Sequence, residues 1–202
     1  MTNTLHPEMI AQNPACITET ITFAGERITL RALRREDGEL FGRYLAGLGE
    51  ETRRRYAPHP LTLEQGIKLC HEINYGDTLR LIAVTEQGGK PEVIAYFILV
   101  LGVREGDIKR YRERGMTLDP QRDCTFAPSV ADAYQNRGVA SALMPQVLDV
   151  ARRLGFRRMV LMGGTQATNS RAIRFYVKSG FRKVGDFVTE GNVNNHDMIL
   201  AL

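Results

Sequence analysis

Gln135-Asn136-Arg137-Gly138-Val139-Ala140 separates an apolar, β-rich run ending at Val130 from an amphipathic run ending at Leu154. A glycine-bearing turn between a strand and a helix leaves several backbone N–H groups without helical partners, and the helix dipole adds positive charge there. Such a turn suits an anion, and Gly138 has no Cβ to hold a phosphate off the backbone. Two well-known phosphate loops are missing. No Lys-Ser/Thr pair follows Gly138, as G-x-x-x-x-G-K-[ST] requires, and the stretch does not fit G-x-G-x-x-G. The pattern predicts a pyrophosphate cradle of another kind. Close helix–sheet packing at Gly138 and Ala140 is the structural alternative.

Downstream, Val139, Leu143, Val147, Val150 and Leu154 recur at helical spacing, and Gly155 supplies the stop. Pro145 inside this helix removes a backbone bond and predicts a kink. Arg158–Met162 reads as a short buried strand. Asn169–Ser179 reads as a second amphipathic helix, with Asn169 or Ser170 as N-cap, Gly180 in the left-handed C-terminal position and Phe181 folded onto the last turn. Strands at about Arg182–Thr189 and His196–Leu202 close the chain around Gly191–Asn195.

Upstream, Ile17–Phe23 and Arg27–Leu33 alternate around Ala24-Gly25-Glu26 and predict a hairpin. Asp37 can cap a helix to about Leu48. Thr62 with Gln65 forms a capping box for another helix, to about Asn74. Leu79–Glu86 and Val93–Val103 are β-rich around Gln87-Gly88-Gly89-Lys90, and the apolar Val93–Leu101 suggests a central strand covered on both faces. Arg104–Arg122 is a charged connection or a short surface helix. Asp123–Val130 is a strand in which Pro128 marks a bulge or a break in pairing. Residues 1–15, polar and carrying Pro7 and Pro14, are expected to form a flexible lead-in to a single domain over 16–202. The fold class is α/β of the α+β kind: a mixed, mostly antiparallel central sheet with helices on both faces.

A chain of 202 residues, 43% hydrophobic and 25% charged, suits one globular domain. The net charge of +4 is dispersed and aromatic residues make up 7%, which disfavours a nucleic-acid binder. Arg53-Arg54-Arg55, the densest basic cluster, reads as a solvated helix face. Cys16, Cys70 and Cys124 form no C-x-x-C pair, and His6, His59, His71 and His196 show no metal-ligand spacing, so neither a disulfide framework nor a metal site is indicated. Met1–Gln12 lacks the pattern of a signal peptide and no apolar run reaches membrane-spanning length. The expectation is a cytoplasmic protein with no membrane partner.

With these elements in order, the chain resembles the Gcn5-related N-acetyltransferase (GNAT) superfamily over about Ile28 to Leu202. Gln135-Asn136-Arg137-Gly138-Val139-Ala140 resembles the family's Q/R-x-x-G-x-G/A signature. Asn169-Ser170-Arg171-Ala172-Ile173-Arg174-Phe175-Tyr176, completed by Gly180-Phe181, resembles N-x-x-A-x-x-F-Y-x-x-x-G-F. The two occur in the family's order, with a helix and a strand between them.

The resemblance implies acetyl-CoA as cosubstrate, a primary amine as acceptor and no metal; it is compatible with a homodimer. It implies that backbone N–H groups from Gln135 to Ala140 hold the pyrophosphate. It implies too that the strand ending at Val130 splays from the one beginning near Arg158 to admit the pantetheine arm, with Asn169 beside it and Tyr176 aimed at the thioester sulfur. A phenol of pKa about 10 can protonate a departing thiolate of pKa about 8.5. Asn169 as a mere cap, Tyr176 as a core aromatic and Cys124 as a buried hydrophobe are the structural alternatives.

No base carries over by motif. Asp123 should point away from the site, Asp132 and His59 sit in loops, and ordered water is expected to carry the amine's proton. The resemblance places acceptor recognition in Asp37–Asn74 and Glu190–His196. A noncatalytic acyl-CoA sensor of the same fold is the rival reading. Acceptor identity, small amine or protein lysine, and acyl-chain preference are open at this level.

Overall fold

Residues 4–189 and 191–202 are described by a computed structural model. Thr alternating with Ile and Phe makes strand β1 (Glu19–Phe23), which turns tightly into β2 (Glu26–Ala32). Ala24 and Gly25 both take positive φ, 51° and 84°, as the two-residue hairpin twist demands. Gly88 and Gly89 do the same between β3 (Thr78–Gln87) and β4 (Lys90–Val100). Every residue from Val93 to Leu99 is buried, so β4 is the central strand that its apolar run predicts.

Among the described residues nine strands form one sheet in the order β1-β2-β3-β4-β5-β6-β9-β7, with β8 also on β9. The later strands are β5 (Asp123–Val130), β6 (Arg158–Leu161), β7 (Thr165–Gln166), β8 (Arg182–Thr189) and β9 (Val193–Ala201). Only β5 and β6 run parallel; the other pairs are antiparallel.

Among the described residues seven α-helices flank the sheet: α1 (Pro7–Gln12), α2 (Gly38–Gly47), α3 (Glu50–Arg55), α4 (Leu63–His71), α5 (Glu105–Arg112), α6 (Val139–Arg153) and α7 (Ser170–Lys178). On one face Val139, Leu143 and Val147 of α6 pack with Leu30, Leu81 and Phe126. On the other, Phe41 and Leu45 of α2 and Leu69 of α4 pack with Ile82, Tyr96 and Ile98. The alternation of side chains along each strand is what divides the core into these two layers. Helices α2 and α4 cross where both chains are bare. A Cβ on Gly66 would sit 2.3 Å from Gly42 Cα. Gly66→Ala is expected to cost about 1–3 kcal/mol by forcing the helices apart, read as a lowered urea midpoint. An unchanged midpoint would show that the crossing is slack.

Several expectations need correction. Residues 4–15 are not a flexible lead-in: Leu5 and Ile10 are buried, and the Leu5 N–H bonds the Arg153 carbonyl at 2.8 Å. Two apolar side chains suffice to dock this polar-looking segment; residues 1–3 of the expected lead-in lie outside the described residues. Pro128 causes no break, because its register with Phe97 of β4 is regular. The Ala131 N–H bonds Ile94 on β4, while the Phe126 carbonyl accepts from Met162, so odd residues of β5 pair with β4 and even ones face β6. Proline at 128 therefore lacks its N–H on the side where no strand is paired. The charged 104–122 segment carries α5, whose Asp107 and Tyr111 are buried, so it is not a mere surface connection. Arg53 is not solvated along its length either. It donates to the carbonyls of Leu45, Ala46, Leu48 and Leu61, closing the carbonyl end of α2.

Candidate active site

The parallel pairing of β5 with β6 stops at Phe126 opposite Leu161. Gly163 and Gly164, at φ 63° and 69°, then turn the chain away so that Thr165–Gln166 pairs with β9 instead. The last part of β5, through Val130, is left facing a gap. A cleft of about 730 Å³ fills that gap and passes through the sheet. It is lined by Phe126, Val139 and Tyr176 of one core layer and by Ala127 and Met162 of the other, so it reaches both faces of the sheet.

At its α6 end the chain takes an unusual path. Asn136 has φ 61° and Gly138 has φ 85°, ψ 4° as the N-cap of α6. Left-handed residues spaced this way turn successive N–H groups toward one point. The first backbone bond of α6 runs from Ala142 to the Gly138 carbonyl. Among the described residues, the N–H groups from Asn136 to Ser141 give no backbone bond, and the dipole of a long helix stands behind them. The Gln135 N–H differs from the expectation, since it bonds the Asp132 carbonyl at 3.3 Å. Glycine at 138 is explained by φ more than by space, because a Cβ there would meet only Phe23 at an ordinary 3.5 Å.

Asp132 braces this turn. Its carboxylate accepts from Gly49 N–H at 2.8 Å and from the Thr52 hydroxyl at 2.7 Å, and so ties α3 to the loop. The Gln135 amide donates to Thr52 Oγ1 and to the Val130 carbonyl. Gln135 is thus a strut between strand, loop and α3. These contacts link residues some eighty positions apart, and no local pattern announces them.

Tyr176 projects from α7 into the cleft. Asn169 caps that helix, accepting the Ala172 N–H at 3.2 Å, and also lines the cleft. Gly180 (φ 95°) and Phe181 close the far end with the paired bonds Phe181 N–H to Tyr176 and Gly180 N–H to Val177. Phe175 and Phe181 pack on the Tyr176 ring at centroid distances of 5.2 and 5.4 Å and fix its direction. Its hydroxyl meets no hydrogen-bonding group among the described residues, and burial pushes its pKa well above the usual phenol value.

Val130, Gln135, Asn136, Gly138, Val139, Ala140, Asn169 and Tyr176 therefore share one cleft. Arg137 does not line it; its guanidinium lies 5.4 Å over the Tyr134 ring. No local pattern singles out Tyr56, which enters the cleft from the residue after α3, or the pairing of the Ser129 hydroxyl with Tyr44 at 2.8 Å.

No Asp or Glu lines the cleft among the described residues. Asp123 is buried in a pair with Arg158 at 2.5 and 2.8 Å, and Asp132 is spent on α3. His59 bonds the Pro60 carbonyl through Nδ1 and lies outside the lining; burial lowers its pKa. Burial pushes the Cys124 thiol up, which suits a buried hydrophobe and not a nucleophile. Glu190, at the head of the expected acceptor loop, lies outside the described residues. No group of three or more metal-ligating side chains is found, and no helix is long and apolar enough to cross a membrane, among the described residues.

Comparison with known proteins agrees with this geometry. The model of the acetyltransferase (GNAT) family matches residues 128–181, from the gap-facing end of β5 through α7 to Phe181. The chain is similar to the acetyltransferase PA5475 of Pseudomonas aeruginosa, 29% identical over 141 residues; the match spans 67% of this chain and 65% of that relative's length. The fold is shared with the GNAT domain of S. lividans PAT, at TM-score 0.70 and 24% identity over 94% of this chain and 99% of that one. It is shared also with AAC(6')-Ib in complex with paromomycin and acetyl-CoA, at TM-score 0.63 and 19% identity over 86% and 93% of the two chains.

Proposed function

Because the chain belongs to the GNAT superfamily of acetyltransferases, we propose that it transfers an acetyl group from acetyl-CoA directly to a primary amine in this cleft. The observation that carries the reading is the passage through the sheet. It joins a cradle of unpaired N–H groups on the α6 side to a second opening on the α2–α3 side, with the unpaired Tyr176 hydroxyl between them.

The roles follow from what each group can do. The N–H groups from Asn136 to Ala140 suit the pyrophosphate. Val130 presents its N–H to the gap, where the amide-rich pantetheine arm can pair with it in place of a strand. The amine nitrogen attacks the thioester carbonyl carbon, the C–N bond forms and the C–S bond breaks. Tyr176 gives its proton to the departing sulfur and regains one from solvent. Its raised pKa keeps it protonated, so the rate should rise with pH as the acceptor amine loses its own proton. Ordered water carries that proton away, since the carboxylates nearby are committed to structure.

Acetyl-CoA is expected to raise the melting temperature, since it binds only the folded state. Gly138→Val should remove that shift: valine resists φ 85°, and the loop's N–H groups would then diverge. A folded Gly138→Val protein that keeps the full shift would move the phosphate site elsewhere.

A further inference from the structure

We propose that the acceptor is a small primary amine that also carries an anionic group, a carboxylate or a phosphate, held by Arg55 and Arg104. The inference deepens the acetyltransferase reading and rests on it. The lining of the cleft holds five cationic side chains and, among the described residues, no carboxylate. Three of the five, Arg171, Arg174 and Lys178, belong to α7, which packs with α6 on the phosphate-cradle face. An anionic cosubstrate accounts for charge on that side. It does not account for Arg55 and Arg104, which belong to the opposite face.

Arg55 ends α3, beside the layer of Phe41 and Tyr44. Arg104 precedes α5, which covers Val160 and Ile199 on that same face. Each has an acidic neighbour on its own helix. Glu51 lies 3.1 Å from Arg55, and Asp107 acts on Arg104 at longer range. Neither neighbour lines the cleft, and Asp107 is bound to Arg110, so the field inside is positive. A polycationic amine would enter such a mouth against that field. An amine bearing a carboxylate or phosphate would be drawn in, and the forked guanidinium suits both groups.

A second observation points independently to a polar ligand here. The Tyr56 hydroxyl, adjacent in sequence to Arg55, is buried beside the Ser129 hydroxyl, which is already paired with Tyr44, and no hydrogen bond of good geometry completes it. Tyr56 lines the cleft, with Tyr44, Tyr96, Tyr176 and Ser129 around it. Buried hydroxyls without good partners are costly and rare, so a small turn of the Tyr56 side chain that brings its hydroxyl onto a bound group would complete it. Held between the guanidiniums and the Tyr56 hydroxyl, the acceptor would present its amine toward Tyr176.

The test compares matched amines by thiol release from acetyl-CoA at equal concentrations of free amine. β-Alanine is set against β-alaninamide, phosphoethanolamine against ethanolamine, and spermidine stands for polycations. At least one acidic amine is expected to exceed its neutral partner in kcat/KM by roughly tenfold or more, and which one does so separates carboxylate from phosphate. Arg55→Gln and Arg104→Gln should each raise KM for that amine roughly tenfold while the acetyl-CoA melting shift persists. Preference for spermidine or a neutral amine overturns the proposal, as does a preference that survives in both variants. Acetyl-CoA binding without acetylation of any acidic amine overturns it equally and leaves the cofactor site standing. Loss of the acetyl-CoA shift in the unaltered protein would instead overturn the acetyltransferase reading, and this proposal with it.

Discussion

Tyr176→Phe is expected to lower kcat by roughly tenfold to a thousandfold while acetyl-CoA affinity changes little. The hydroxyl meets no protein group in the ground state, so removing it breaks no resting hydrogen bond. The ring would keep its packing on Phe175 and Phe181. What is lost is the proton for the sulfur as the C–S bond breaks, an interaction that exists only in the transition state. Steady-state kinetics with a melting-shift titration separate the two effects. Full activity in the variant would make the tyrosine structural and give the proton to water. A large loss of cofactor affinity would make it a binding residue instead.

Asp197→Ala is expected to cost about 3–5 kcal/mol of stability, a large share of what a domain of this kind possesses. Asp197 is fully buried in β9 and accepts from Arg114 at 2.7 Å and from Arg110 at 3.0 Å; Arg110 also pairs with Asp107. Arg110 lies 4.0 Å over the Phe187 ring, so its stem is packed as well as paired. Gly185 makes room for Arg114, because a Cβ there would sit 2.2 Å from its Nε. Removal of the carboxylate leaves Arg114 without its acidic partner and Arg110 with Asp107 alone, beside a buried strand. Each keeps 22% of its side-chain surface exposed, which favours the lower end of the range. Urea unfolding of Asp197→Ala reads the effect directly. A change under about 0.5 kcal/mol would show that water replaces the carboxylate, and that the packing of Ile108 and Tyr111 holds α5.

These two residues mark what was legible in the sequence. Tyr176 was readable because its helix carries its own local signals: Asn169 before it, apolar spacing within it and Gly180-Phe181 after it. The phosphate turn was readable for the same reason, and so were both hairpins. Asp197 was not readable, because its partners lie more than eighty residues away and nothing local distinguishes it from any strand aspartate. The same is true of Asp132, a loop carboxylate in the sequence that was not expected to act as the base and that proves to be the brace of α3. Arg110 and Arg114 stand one helical turn apart in a segment read as surface. That spacing put them on one face, but only the fold supplied the acid between them. Of the residues proposed to hold the acceptor, Arg55 and Tyr56 fall inside the broad Asp37–Asn74 span but carried no signal of their own, and Arg104 carried none, because the cleft is set by where β5 and β6 part.

Product formation from acetyl-CoA and a primary amine decides whether the cleft is catalytic, with free thiol and acetylated amine quantified in the same reaction. The two are expected to appear one for one, only when both substrates are present, with no acetylated protein formed when the amine is left out. Acetyl-CoA that raises the melting temperature yet yields neither thiol nor acetylated amine across the panel would contradict that expectation, and would leave a binding domain where an enzyme was proposed.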